Sequence, residues 1–233
     1  RTPAFQAISM TSAPRGAGFR YHESDHVLNV AYNILAGGVR LEDLELRRQD
    51  EHYLDSLGAA RIPDPTTAGD FTRRFQPEDI LTLQESINRT RQRVWALQPK
   101  GFLAEAYVDV DGTIAGTLGE CKGGMDISYK GEWGYAPLIV SLANTNEGLY
   151  TVNRPGNVCS HQGSVAWIDR AIGLVRPYAG FVTVRGDTDF THTAHLDRWD
   201  AQGTKFILGM DAHAKVVGLA EALPAGDWHP LAR

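Results

Sequence analysis

Ala104–Thr113 reads Ala-Glu-Ala-Tyr-Val-Asp-Val-Asp-Gly-Thr, and its centre alternates apolar with polar residues. That alternation has the period of a half-buried strand, on which residues two apart share a face. Tyr107, Asp109 and Asp111 then point one way, Val108 and Val110 the other. Two carboxylates side by side on a strand repel each other and are costly to desolvate. A cation removes both problems. A second acidic cluster, Asp187 and Asp189, follows the strand predicted at Phe181–Val184. Active-site groups of open α/β sheets collect at the carboxyl ends of strands. If the two strands are neighbours, Asp111 and Asp187 reach one site. Their spacing, 187 − 111 = 76 residues, leaves room for a hairpin and a crossover helix. Converging carboxylates are hard oxygen ligands suited to Mg²⁺ or Mn²⁺. Two such ions roughly 4 Å apart stabilise the attacking and leaving oxygens of an in-line phosphoryl displacement. In the bland alternative, Asp189 caps the next helix and Asp109 stands behind the metal ligands.

The elements that must position these acids fall into two blocks. Residues 1–23 are expected to be a loose lead-in. Residues 24–100 look all-helical, with helices expected near Ser24–Gly37, Leu41–Arg48 and Glu51–Leu57. Thr67 with Asp70 fits a capping box for a short helix ending at Phe75. A long helix is expected from Pro77, with Ile80, Leu83, Ile87, Val94 and Leu97 as its buried stripe. Residues 101–233 change pattern. After strand 104–111 come antiparallel strands at Met125–Lys130 and Tyr135–Leu142, then Leu149–Val152. Ser160 is expected to cap a helix running to Val175. The strand Phe181–Val184, a helix at Thr191–Asp200, a strand at Lys205–Leu208 and a helix at Lys215–Leu223 follow. This is an α/β or α+β arrangement: a helical N-terminal unit before a mixed sheet flanked by helices.

Composition narrows the function classes. The chain has 233 residues, 42% hydrophobic and 22% charged, with a net charge of −5. This is ordinary globular composition, and it argues against a uniformly basic nucleic-acid coat while leaving room for a local basic patch. Cys121 and Cys159 have no metal-ligand spacing and are too few for a disulfide framework, so an intracellular compartment is the default. No apolar run has the length of a membrane span. The first residue is Arg, and the pattern at Pro230–Arg233 looks unfinished, so a fragment of a longer chain is expected.

Two families resemble parts of this pattern. Asp109-Val-Asp111-Gly-Thr113 looks like the D-x-D-G-T loop of haloacid-dehalogenase-type phosphatases, which would make Asp109 a nucleophile and Asp111 a general acid. Gly186-Asp187 and Ser141 would stand for that family's later motifs. The match lacks the family's Lys, since residues 131–204 contain none, and the loop leads into a meander. A second resemblance covers nearly the whole chain. Asp25-His-Val-Leu28, Ala36-Gly-Gly38, Leu41-Glu-Asp43, Pro63-Asp-Pro-Thr-Thr67, Gly69-Asp-Phe71 and Arg74-Phe75 occur in that order. Asp109-Val-Asp-Gly-Thr113, Gly134-Tyr-Ala-Pro-Leu138, Asn153-Arg-Pro-Gly-Asn157 and Arg185-Gly-Asp-Thr-Asp-Phe190 follow. Together they resemble bacterial insertion-sequence transposases of the DDE type, with an RNase H-like catalytic core.

The resemblance implies that residues 101–233 are that core, incomplete at its end. It implies that Asp111 and Asp187 are the first two catalytic acids, with Asp111, Asp187 and Asp109 as the residues at the Mg²⁺ or Mn²⁺ site. The third acid would be a Glu further downstream; Glu221 comes too soon after Asp187 for the role. Cys121 stands near the place where the family often has Gln. The implied activity is cleavage at element ends and transfer of freed 3′ ends to target DNA, by a homodimer on DNA, in the bacterial cytoplasm at the nucleoid. The implied partner is double-stranded DNA, both terminal inverted repeats and target, with no membrane. The alternative is a truncated copy that binds DNA without cutting it. Lys122, Lys130, Arg154 and Arg185 flank the acids, and Arg73 and Arg74 lie on the helical unit. They are candidate phosphate contacts, which position DNA without reading its sequence. Arg89, Arg91 and Arg93 add to the charge of that helical surface. His192 and His195 are expected to pack or face solvent, and Trp133, Trp167, Trp199 and Trp228 to serve the core or its rim.

Overall fold

The computed structural model describes residues 21–119, 122–191 and 193–229. The lead-in at 1–20, Cys121 and His192 therefore lie outside the described residues. The chain divides into two compact units, one reaching Val94 and the other beginning at Trp95.

The first unit contains α1 (Glu23–Leu35), a 3₁₀ turn at Leu41–Asp43, α2 (Leu44–Arg47), α3 (Glu51–Leu57) and α4 (Pro65–Thr72). It also holds most of α5 (Pro77–Ala96). The cap of α4 differs from the capping box expected at Thr67 and Asp70. Asp64 is the N-cap, accepting from Thr67 N at 2.9 Å and Thr67 Oγ1 at 2.7 Å, with Pro65 opening the helix. Pro is suited to that position because its missing N–H would be unpaired there anyway. Asp70 instead accepts from Arg73 Nη1 at 2.6 Å. The buried stripe expected on α5 is also corrected. Ile80, Ile87 and Val94 are 43, 48 and 52% exposed, whereas Ser86, Asn88 and Trp95 are buried. The heptad-like spacing of the apolar residues is present, but it faces outward. At the centre of this unit, His26 stacks on Phe71 with ring centroids 4.3 Å apart. Burial holds the His26 pKa below its ordinary value, with the nearby Arg74 charge acting the same way.

The second unit is built on a five-stranded mixed sheet. Its strands are β1 (Leu103–Gly112), β5 (Leu138–Leu142), β6 (Glu147–Val152), β7 (Ala179–Gly186) and β8 (Thr204–Leu208), in spatial order β6-β5-β1-β7-β8. β5 and β6 pair antiparallel, as do β1 and β5, whereas β1–β7 and β7–β8 are parallel. One face buries Ala106, Val108, Val110, Val140, Val182 and Val184. Helix α6 (Ser164–Val175) packs there through Ile168, Ala171, Ile172 and Val175. Helix α7 (Thr193–Ala201) is tied to α6: Trp199 is fully buried and its Nε1 donates to Asp169 Oδ1 at 2.8 Å. Arg198 grips the same carboxylate with two nitrogens. The other face of the sheet carries a polar ladder. Thr183 Oγ1 and Tyr107 OH donate to Glu105 at 2.7 and 2.9 Å, and hold its carboxyl below the usual range. α8 (Ala214–Glu221) ends the described helices.

A small second sheet, β2 (Ala115–Gly116), β4 (Trp133–Tyr135) and β3 (Asp126–Ile127), is inserted between β1 and β5. The expected strand Tyr135–Leu142 is therefore two strands. Pro137 has no N–H for a ladder bond and marks the change of sheet, its carbonyl accepting from Thr113 N at 3.0 Å. The expected strand Met125–Lys130 shrinks to Asp126–Ile127 for want of a longer partner.

Candidate active site

β1 and β7 are parallel neighbours, and Asp109 lies opposite Arg185 in their register. The Arg185 guanidinium donates from Nε and Nη2 to the two Asp109 oxygens at 2.7 and 2.8 Å. This bidentate bond raises the Arg185 pKa further. Its ring-facing side lies over Tyr107, 5.0 Å from the centroid. Asp111 and Asp187 each follow two residues further along, past that last paired position. Asp187 keeps extended backbone, with φ −76° and ψ −170°, just beyond the end of β7. Neighbouring strands are about 4.8 Å apart, so the two acids stand at adjacent strand ends. Asp187 also caps the 3₁₀ turn Thr188–Phe190, accepting from Asp189 N at 3.0 Å. Asp189 is the second residue of that turn, and its carboxylate is exposed.

A cleft of about 780 Å³ opens at these strand ends, lined among others by Gly112, Lys130, Arg154, Ser160, His161 and Asp187. One wall is the segment 153–163, which the sequence reading assigned partly to a loop and partly to the start of a helix at Ser160. α6 starts instead at Ser164. The reason is Arg154. Its Nε donates to Ala136 O, and its Nη1 to Ser160 O and Gln162 O, each at 2.9 Å, with Cys159 O at 3.4 Å. Carbonyls collected around a guanidinium cannot also line up along a helix axis. Burial lowers the Arg154 pKa from its ordinary value, and Nη2 is buried without a partner among the described residues. The wall is pinned to the small sheet as well. Asn157 Nδ2 donates to Asp126 Oδ2 at 2.7 Å, and Gly156 N to Gly134 O at 3.1 Å. Ser160 Oγ sits so close to Gly112 that a Cβ there would meet it at 2.9 Å.

The residues picked from sequence thus have different surroundings. Asp111 and Asp187 stand at the ends of adjacent strands, and of the two it is Asp187 that lines the cleft. Asp109 and Arg185 neutralise each other one step below them. Arg154 is an internal clamp, not a side chain reaching outward. Lys122 donates to Thr117 Oγ1 at 2.9 Å, and Lys130 lies 5.5 Å from the Tyr129 ring centroid at the cleft rim. Arg73 pairs with Asp70, and Arg74 lies over the Phe71 ring, 3.9 Å from Glu23. Sequence reasoning missed Tyr129, Asn157, Ser160 and His161 as cleft residues. The one available signal was an Arg inside a Pro-Gly loop with no acid nearby to pair with it.

The site is thus a mixed α/β sheet with two exposed acids at the ends of neighbouring strands. The model of the family described as Transposase DDE domain group 1 matches residues 6–230, and the chain belongs to that family. A search of curated proteins found no match. Among solved structures, the chain is similar to a piggyBac transposase synaptic complex with hairpin DNA. That likeness has a TM-score of 0.43 and 17% identity, over 95% of this chain and 50% of the other. It is also similar to a Mos1 transposase paired-end complex with the left transposon end, at TM-score 0.29 and 10% identity, over 90% and 72% of the two chains. A Mos1 strand transfer complex gives 0.31 and 8%, over 91% and 67%. This chain spans half the length of the piggyBac chain it matches. No described helix is long and apolar enough to cross a membrane.

Proposed function

We propose that this chain carries the catalytic acids of a DNA transposase of the insertion-sequence kind. It would cut strands at the element's terminal inverted repeats and join the freed 3′ ends to target DNA. The observation that supports this most is that β1 and β7 are parallel neighbours paired as far as Asp109 and Arg185, with Asp111 and Asp187 each two residues further on. The donor set fits Mg²⁺ or Mn²⁺ as far as it goes: two carboxylates, all oxygen, exposed at strand ends. Among the described residues no third acid, His or Cys joins them in a group able to hold a metal. In this proposal a downstream Glu supplies the third ligand.

Divalent ions, when bound, supply charge stabilisation at the attacking and leaving oxygens of the phosphodiester. Asp111 and Asp187 are the ligands. Asp109, saturated by Arg185, stands behind them and holds the strand ends in line. Lys130 at the cleft rim offers a positive charge to a DNA phosphate, and the clamped segment 153–163 keeps the opposite wall fixed. Pre-set geometry of this kind favours in-line attack by water or by a 3′-hydroxyl. Double-stranded DNA is the partner, and a homodimer acting on paired ends in the cytoplasm, at the nucleoid, completes the reading.

The test is calorimetric titration with Mg²⁺ and Mn²⁺ of the wild type, Asp111→Asn, Asp187→Asn and Asp109→Asn. Saturable binding lost in the first two variants and kept in Asp109→Asn is expected. Equal behaviour of all four proteins refutes the assignment. Binding of duplex DNA that never leads to nicking in Mg²⁺ points instead to a DNA-binding remnant.

A further inference from the structure

We propose that the β3–β4 tip is a platform for an unstacked nucleobase, with Tyr129 stacking on the base and Lys130 taking the adjoining phosphate. The inference rests on the transposase reading and adds a ligand that reading does not specify.

Tyr129 is 84% exposed, an unusual position for a large aromatic ring; Lys130 Nζ lies over one face, 5.5 Å from the centroid, and a base would stack on the other. Both residues line the cleft that Asp187 and Gly112 also line. The tip is firmly built. Ser128 is buried, its N–H donates to Glu132 O at 2.7 Å, and its Oγ accepts from Glu132 N at 3.1 Å. Gly131, at φ +78°, closes the turn by donating to Ser128 O at 2.8 Å. Asn157 ties Asp126, at the base of the hairpin, to the cleft wall. The ring therefore stands on a backbone held by hydrogen bonds, so a ligand has only the side chain to order. Low ordering cost is what makes an exposed aromatic a good anchor.

The chemistry around the ring selects the ligand. An apolar peptide would not favour a neighbouring ammonium. A paired base inside a duplex offers no free face. An unpaired base offers a π-face to Tyr129 while its phosphate meets Lys130, the combination used by single-strand binding grooves. Such a base arises wherever a duplex is opened next to the phosphate being cut.

The probe is a short duplex with a single-stranded overhang containing 2-aminopurine, compared with the blunt duplex, by anisotropy and fluorescence quenching. Wild type, Tyr129→Ala, Tyr129→Phe and Lys130→Ala are the proteins. Quenching is expected with wild type and Tyr129→Phe and is lost in Tyr129→Ala. Overhang binding in Tyr129→Ala weakens by about tenfold or more, the scale of one base–aromatic stack. Blunt-duplex binding changes less than about twofold. Lys130→Ala weakens both ligands, with a shallower salt dependence. An unchanged melting temperature in Tyr129→Ala shows that the fold is intact. If Tyr129→Ala binds and quenches like wild type, the platform is refuted while the transposase reading stands. If wild type binds neither DNA, both fall together.

Discussion

Replacing Arg154 with Ala should destabilise the second unit, and the structure sets the size of the effect. The guanidinium makes three bonds of 2.9 Å, to the carbonyls of Ala136, Ser160 and Gln162. A hydrogen bond to a charged group contributes roughly 1.5–3 kcal/mol, and less where water can replace the lost donor. At about 1 kcal/mol each after such replacement, the three bonds amount to about 3 kcal/mol. Arg154→Lys keeps the charge but replaces a planar fork with one ammonium, which cannot reach the Ala136 and Gln162 carbonyls together. It should recover less than half of the loss. Urea unfolding gives the stability difference, and hydrogen exchange at the amides of 156–164 shows whether the cleft wall is the part that loosens. An Arg that only contacts DNA phosphate would show weaker DNA binding with unchanged stability. An Arg154→Ala midpoint within about 0.5 kcal/mol of wild type, the range of ordinary surface substitutions, would refute the clamp. Full rescue by Lys would do the same.

Gly134→Ala should open the small sheet, because a Cβ there would lie 2.2 Å from Ala115 O, a backbone atom that cannot swing aside. A loss of roughly 2–3 kcal/mol is expected, in the range of other overpacking changes, visible as a lower urea midpoint. Stability of the first unit should fall as the pH drops below about 6.5, the ordinary His value, because the unfolded chain then takes up a proton that buried His26 resists. The slope is at most about 1.4 kcal/mol per pH unit for one proton. His26→Phe, which keeps a ring against Phe71, should flatten it in thermal melts between pH 7 and pH 5.

Much of the sheet was legible because alternation is a local signal. β1, β7 and β8 lie within two residues of their expected positions, and β6 within two of its expected start. The acids at the ends of β1 and β7 were found the same way, from strand patterns followed by Asp. Errors came where tertiary context decides. The α5 stripe has helical spacing, but spacing cannot say which face is inward, and Ser86 and Asn88 are buried while Ile87 between them is not. Thr67 and Asp70 satisfied a capping pattern, yet Asp64 before Pro65 was the stronger start signal. The segment around Ser160 looked like a helix start because nothing in its own residues announces that Arg154 will claim its carbonyls. Likewise, Asp109 and Asp111 look alike in sequence. Only the strand opposite separates them, by supplying Arg185 to Asp109.

The Asp109–Arg185 pair has a meaning for folding. A parallel pair of strands contains no tight turn to fix its alignment, so two apolar strands such as β1 and β7 could zip together out of step. Slipping by one residue would turn every side chain of one strand to the opposite face. The guanidinium would then lose its carboxylate and face the valine layer, with an unpaired charge buried there. The pair thus works as a key that admits one alignment. Because Asp109 and Asp111, and Arg185 and Asp187, keep the same two-residue offset, the alignment it admits is also the one that leaves Asp111 and Asp187 at the ends of adjacent strands.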